Sequence, residues 1–506
     1  METRPSYVII GNGITGVTAA EILRTHDAAR ALTIIADDPF PAYYRPALKD
    51  FLGGHLREEK LWARPATFYQ EQRIHFIPGR VVGINHQQHV VQLHNGKLVP
   101  YYRLLLANGA RSHTLSCPGL NLAGVSTLRT VADYQEILRR LESVNRVVVS
   151  GSGTLALESA ETLRHSGYQV THLLRGKQLW SEVLDPVASD MVLQEERRDG
   201  VDVRTGAEIK EILGKDGQVC AVVTTRGERI PCELVLIAVG IEPLTDFIRA
   251  SGIACGRGVK VDDCMRTSSP DIYAAGDVIE TTDALTKRAR IIGQWFPAIQ
   301  QAQIAAYHML GTHFPGAPRM AAGHFYNATF LYGLDFVSVG LTTCPVTPHF
   351  YEVIAEPGPR SYRKAIFYNG KIVGALLLGD RRQGLAFKRA IDHQADLLPV
   401  TRQLFDADFD LDAWLDQQQI STPILSSQKQ DIPAISAAEH KGTVGADALL
   451  NRPDAHQLFT QEVDAYFVPI PHPKVPVFAT EMQLNQKDQA SVITIGRQAG
   501  VAWVLE

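Results

Sequence analysis

One pattern constrains this chain more than any other: a strand, a glycine turn and a helix, written twice. The β-prone run SYVII at 6–10 leads into GNGITG at 11–16, and the helically spaced VTAAEILR follows. RVVVSGSGTLALESAETLRHSGYQVTHLLRG repeats the arrangement at 146–176. In the first loop Gly11 allows the tight turn, Gly13 lets backbone approach a pyrophosphate, and Gly16 lets helix and strand pack closely. In the second, Gly151 and Gly153 hold the first two places and Ala156 takes the third, relaxing the helix–strand contact. Each helix start offers free N–H groups and a positive dipole end to phosphate. The strand after the first loop, ALTIIADD, ends at Asp37 and Asp38, where a carboxylate suits a ribose hydroxyl. The strand after the second, YQVTHLL, ends instead at Leu174, followed by Arg175 and Lys177. Cations there accommodate a ribose 2′-phosphate, so NADPH is preferred, with NADH or a loop that holds no nucleotide left open. Two dinucleotide loops imply two dinucleotides, most economically one permanent flavin and one exchangeable nicotinamide. The expected fold is α/β, with two Rossmann-like dinucleotide-binding domains.

At 506 residues the chain exceeds one core, which stops growing near ~250–300 residues. With 45% hydrophobic and 21% charged residues it reads as globular, and its net charge of −4 gives no basic face for nucleic acid. No apolar run approaches the ~18 residues of a membrane span. The N-terminus, METRPSYVIIGNG, has no signal-peptide layout, and a reduced cytoplasmic setting is expected. The six cysteines stand at 117, 220, 232, 255, 264 and 344, with no CxxC pair and no metal spacing. No metal site is expected, and neither a disulfide framework nor a local redox-active pair.

Further segments carry a family likeness: PYYRLLLANGARS at 100–112, ELVLIAVGIEP at 233–243 and, most specific, RTSSPDIYAAGDV at 266–278. Together with the glycine loops these resemble the FAD-dependent pyridine nucleotide oxidoreductases. PAYYRPAL (41–48), GVSTLRTVADY (124–134) and YRKAIFYNGKIVGALLLGD (362–380) are most similar to the rubredoxin-reductase, ferredoxin-reductase and nitrite-reductase flavin-module branch. The resemblance covers about residues 5–410. It implies that Gly276 and Asp277 meet the flavin, Asp277 through the ribityl chain. Arg45 and Pro46 would lie along its pyrophosphate and ring, and an Arg can pair with phosphate oxygens. Ala107, Asn108 and Gly109 match a turn near the adenine half, with Asn108 in place of Thr. Glu158 matches a glutamate that approaches the nicotinamide, and Trp295 a residue flanking the flavin ring, although a core aromatic would read the same. The branch usually carries RPPLSK with its lysine near flavin N5. Here RPALKD puts Lys49 one place early and Asp50 in the lysine position. Lys49 is either that lysine, displaced, or a solvated residue at a helix start. The cysteines of the family's thiol branches are missing from EILRTHDAARALTI and RPALKDFLGG.

The resemblance implies a discontinuous FAD domain (1–111 and 240–315), an inserted NAD(P)H domain (112–239) and a C-terminal α+β domain (316–415). Residues 416–450 read as a linker or wrapping segment, and 451–506 as an extra, β-rich tail of unassigned role. Asn95-Gly96 and Asn369-Gly370 mark hairpins. The expected activity is hydride transfer from NAD(P)H to FAD, then electron transfer to an external acceptor. An iron–sulfur protein or a quinone would serve, and the C-terminal domain suggests a homodimer. The competing reading is a flavin-bound structural or regulatory subunit without turnover.

Overall fold

The structure is a computed structural model that describes residues 5–283, 287–311, 317–320, 326–346 and 349–420. Three sheets organise it. In the first, the strands Ile74–Pro78, Leu32–Ala36, Ser6–Ile10, Leu98–Leu106 and Ile272–Ala274 lie side by side in that order, all parallel. Ser6–Ile10 beyond its first residue, Leu32–Ala36, Ile272–Ala274 and the end of Leu98–Leu106 are buried on both faces, as a helix-covered parallel sheet requires, whereas the edge strand Ile74–Pro78 alternates. An antiparallel ribbon, Val81–Asn85 and Val90–Leu93, continues from Leu98–Leu106 through a turn at Asn95-Gly96, where Gly96 has φ +83°. The hairpin read from the dipeptide is present.

The second sheet repeats the plan. Asp202–Thr205, Gln169–Leu174, Arg146–Ser150, Leu234–Ile237 and Val125–Thr127 are neighbours in that order and parallel. A three-stranded antiparallel sheet, Ile209–Lys215, Gln218–Thr224 and Arg229–Pro231, shares an apolar cluster with it. The chain passes between the modules twice, and the two crossings, Ala110–Ser112 and Ile241–Pro243, pair antiparallel. The domain boundaries proposed from the sequence, 111/112 and 239/240, fall at this ribbon.

The third sheet is antiparallel, in the order Tyr326–Leu331, Leu334–Gly340, Lys371–Leu378, Tyr362–Tyr368, Phe350–Ile354. Asn369 (φ 49°) and Gly370 (φ 81°) make the expected two-residue turn. The sheet is tied to the second module by polar contacts. Lys364, 2% exposed, reaches Asp185 at 2.6 Å, and the Tyr362 hydroxyl donates to the same carboxylate at 2.7 Å. The helix Leu411–Gln417 runs across the 415/416 division of the sequence reading. It is clamped by Arg389, which bonds Asp412 (2.8 Å), Asp416 (2.7 Å) and the Ile420 carbonyl (3.1 Å). The rest of the linker and the 451–506 tail lie outside the described residues. Among the described residues no helix is long and apolar enough to cross a membrane.

Candidate active site

Both glycine loops open on one cavity of about 1760 Å³. Single-ligand pockets run to roughly 1,000 Å³, so this space suits two bound molecules.

In the first loop Gly11 sits at φ +113°, and a Cβ there would lie 2.1 Å from the Ala107 carbonyl oxygen. The Ala107-Asn108-Gly109 turn is thus packed on the loop, with Asn108 Nδ2 donating to Leu244 O at 2.8 Å. A Cβ on Gly16 would lie 2.1 Å from the Gly11 carbonyl oxygen, which seats helix against turn. A Cβ on Gly13 would meet nothing within 4 Å, because Gly13 faces the cavity. Asp37 is exposed on the cavity wall, whereas Asp38 accepts from the Phe40 amide and the Tyr43 hydroxyl, each at 3.1 Å.

The second loop has the same form. A Cβ on Gly151 would lie 2.1 Å from the Ala238 carbonyl oxygen, and one on Gly153 would meet nothing within 4 Å. Ala156 begins the buried face of the helix Thr154–His165. Arg175 lines the cavity and is exposed. Lys177 is exposed but outside the lining, since the chain has turned aside at Gly176, whose carbonyl accepts from the Gly206 amide at 2.8 Å. Leu174 is also outside the lining and is 0% exposed. Glu182 and Glu208 join Arg175 on this part of the wall.

Where the modules meet, Lys49 of the short helix Leu48–Leu52 lies 2.7 Å from Glu158 Oε1, and both line the cavity. The Thr329 hydroxyl, from the third sheet, donates to the same oxygen at 3.2 Å. Two residues that the resemblance singled out in different segments therefore form one ion pair. Asp50 turns away from the cavity and is 8% exposed, and burial pushes its carboxyl well above the usual range.

Asp277 is paired with Arg129 Nη2 at 2.6 Å, and Arg129 Nε donates to the Ala110 carbonyl at 3.2 Å. Arg45 Nη1 donates to the Arg129 carbonyl. Burial, and then the nearby Arg45, lower the Arg129 guanidinium from its ordinary value. Gly276 has φ +82°, and its amide donates to Gln301 Oε1 at 2.8 Å. Pro46 lines the cavity. Trp295 stacks on Tyr44 with ring centres 5.5 Å apart, and its buried indole N–H has no hydrogen-bond partner among the described residues.

Sequence reasoning missed Arg129, Gln301 and Thr329. Arg129 stands in GVSTLRTVADY, which carried only a family likeness, and Gln301 stands six residues after Trp295 on its helix. Thr329 left no signal: it is one of two polar residues, with Asn327, on the strand Tyr326–Leu331.

These residues fit a flavin dinucleotide. Gly13 leaves room for a pyrophosphate, Arg45 and Arg129 supply cations, Asp37 is free for a ribose, and Trp295 holds an unpaired donor at the cavity wall. Two nucleotide loops sharing one space, with an ion pair at their junction, define a flavin- and nicotinamide-dependent oxidoreductase. The chain matches the pyridine nucleotide-disulphide oxidoreductase family over residues 5–305 and belongs to it, as an FAD-dependent enzyme that uses NAD(P)H. Residues 331–395 match the rubredoxin NAD+ reductase C-terminal domain. The chain is 28% identical to rhodocoxin reductase of Rhodococcus erythropolis over 414 residues, 80% of this chain and 93% of that one. It is 35% identical to the ferredoxin–NAD(+) reductase component of the biphenyl dioxygenase system of Paraburkholderia xenovorans, over 62% of this chain and 77% of that one. The ferredoxin reductase for the CYP199A2 system of Rhodopseudomonas palustris superposes with a TM-score of 0.73 at 26% identity, covering 81% of this chain and all (100%) of that structure.

Proposed function

We propose that this enzyme carries reducing equivalents from NAD(P)H, through FAD, to a small iron–sulfur protein. The observation that carries the reading is the shared cavity: both glycine loops and the Lys49–Glu158 pair line it, and none of the six cysteines does. A thiol relay therefore has no residue to use. The relatives' names, rubredoxin–NAD(+) reductase among them, supply the class of acceptor.

A bound flavin supplies the conversion of a hydride into electrons that can leave one at a time. The protein's share is orientation and exclusion of water. Gly11, Gly13 and Gly16, with Arg45, Pro46, Arg129, Asp37, Ala107, Asn108, Gly109, Gly276 and Asp277, would hold the flavin dinucleotide. Gly151, Gly153 and Ala156 would hold the nicotinamide dinucleotide. Lys49 and Glu158 stand between the two, and their pairing fixes both side chains in a part of the site screened from solvent. Trp295, braced by Tyr44, would wall the flavin ring.

Arg175 is the one cation among the cavity-lining residues from Ser150 to Glu208, which favours NADPH. Lys177 has no part in this reading. Glu182 and Glu208, on the same wall, oppose a 2′-phosphate, so the preference is expected to be modest.

Anaerobic titration tests the proposal. NADPH, or NADH more slowly, should bleach the flavin absorbance, and reduced enzyme should then reduce a rubredoxin or ferredoxin. Flavin that neither nucleotide bleaches would defeat it and favour a non-catalytic flavin subunit.

A further inference from the structure

The first residue of the second glycine loop is held at both ends from one strand, Gln169–Leu174. The Gly151 amide donates to the Leu173 carbonyl at 3.1 Å, and the Gly151 carbonyl lies 2.8 Å from Nε2 of His172. A carbonyl oxygen only accepts, so the imidazole carries a proton on Nε2. The other ring nitrogen, Nδ1, lies 2.7 Å from Glu196 Oε1, on the helix Pro186–Arg198. The Tyr332 hydroxyl donates to the same oxygen at 3.0 Å. His172 and Glu196 are both 0% exposed. Tyr332 occupies the two-residue turn between Tyr326–Leu331 and Leu334–Gly340, with φ 49°. An aromatic residue in the left-handed region is an outlier, kept only where its surroundings over-determine it.

Among the described residues the first module has nothing comparable. There the Gly11 amide donates to the Ile35 carbonyl at 2.8 Å, which sets Ile35 opposite Leu173 and Ile34 opposite His172. Ile34 is apolar and 0% exposed. Gly16 and Ala156 each stand five residues after the first glycine of their loops. In the first module the Gly11 carbonyl oxygen seats against the helix, 2.1 Å from where a Gly16 Cβ would be. Ala156 has a Cβ, so that seat is closed to the Gly151 oxygen.

We propose that His172 is a positioning residue for the nicotinamide nucleotide. Its Nε2–H replaces the seat that Ala156 fills, and Glu196 and Tyr332 hold the ring in that pose. A turn of the third sheet thereby sets the geometry of a nucleotide loop in the second. This deepens the proposed function, resting on the second loop as the nicotinamide site. Sequence gives the pair in outline: Ala in place of the third loop glycine and His in place of a buried Ile.

The test rebuilds the first module's solution in the second. A Glu196→Gln background removes the buried charge and keeps the shape: an amide nitrogen at the Oε1 position can donate one hydrogen to Nδ1 and the other to the Tyr332 hydroxyl oxygen, so Kd for NADP+ or NAD+ should stay within about threefold of wild type. Adding His172→Ile should raise Kd and KM about tenfold, as expected for one lost hydrogen bond. kcat and the flavin-to-protein ratio should change by less than about twofold. Adding Ala156→Gly as well should recover most of the loss, which a merely structural role for His172 does not predict. Unchanged Kd in the folded, flavin-loaded His172→Ile variant, or no recovery with Ala156→Gly, overturns the proposal. Should that variant not fold, Tyr332→Phe in the wild-type chain carries the test: a Kd raised about threefold supports the proposal and an unchanged one overturns it. If wild type itself binds neither nucleotide by calorimetry, the nicotinamide reading of the loop fails first, and the inference with it.

Discussion

The two glycine loops share a backbone form and differ in how it is held. The first is locked by contact: Gly11 against Ala107, Gly16 against Gly11, and an apolar Ile34 beneath. The second keeps the glycine against Ala238 but gives its carbonyl to His172, itself held by Glu196 and Tyr332. A loop locked by backbone contact suits a ligand that stays. One adjusted by side chains from two other elements suits a ligand that comes and goes, because its geometry depends on contacts that bound nucleotide can favour or oppose.

The largest expected effect comes from a single Cβ in each loop. Gly11→Ala would put a methyl into the Ala107 carbonyl at a φ of +113°, where L residues are strained. The purified protein should carry almost no flavin, read from its visible absorbance per chain. Gly151→Ala meets the Ala238 carbonyl in the same way. It should leave flavin bound and abolish its reduction by NAD(P)H. If Gly151→Ala empties the flavin site instead, the loops are not assigned as proposed.

Next in size is the pair at the junction. Lys49→Met or Glu158→Gln should slow flavin reduction about 10²-fold in stopped flow, the scale of losing a positioned group, with flavin content unchanged. Lys49 is 14% and Glu158 5% exposed in their side chains, so each neutralisation also leaves a partly buried partner charge. The double variant should therefore be more stable than either single one. Single variants reduced at the wild-type rate would make the pair structural only.

Arg175→Ala should weaken NADPH about tenfold in kcat/KM and leave NADH nearly unchanged, the worth of one charge-assisted contact to phosphate. Leu174→Glu is not the converse change. Leu174 is 0% exposed and does not line the cavity, so a carboxylate there would be buried before it met a ribose. Equal kcat/KM for the two nucleotides in wild type would show that Glu182 and Glu208 cancel Arg175.

Backbone constraints were the most legible part of this molecule. Gly11 and Gly151 stand where no Cβ fits, and Asn95-Gly96 and Asn369-Gly370 where two residues must reverse the chain, so residue type alone betrays them. The Lys49–Glu158 meeting was half visible: each residue had a reason to be noted, but the contact spans 109 positions. Arg129 was illegible, because its partner Asp277 is 148 residues away. His172 read as one more residue of a strand, since nothing local shows which carbonyl its ring will face. Lys177 was misleading because a count of residues past the strand ignores the turn at Gly176.

The smallest expected effect concerns twin glutamates. Glu21 and Glu161 each stand ten residues past the first glycine of their loops. Glu21 is bonded by Arg64 at 2.6 and 2.8 Å. Among the described residues no cation bonds Glu161 in this way, and burial, reinforced by Glu158, raises its carboxyl to about 8, against accepting the Tyr332 amide. A carboxyl raised on folding binds more protons in the native state than in the unfolded one between its two pKa values. Stability then falls as pH rises through that window, here from about 4.5 towards 8. Glu161→Gln keeps the shape, removes the titration and should flatten that fall. The gain should be near zero at pH 5 and about 1–2 kcal/mol at pH 8 by chemical denaturation, well below the full linkage value because water and rearrangement relieve such sites. Glu21→Gln should do the reverse and lose stability, because it breaks the ion pair with Arg64. Equal pH profiles for wild type and Glu161→Gln would show that the second module holds its glutamate as comfortably as the first.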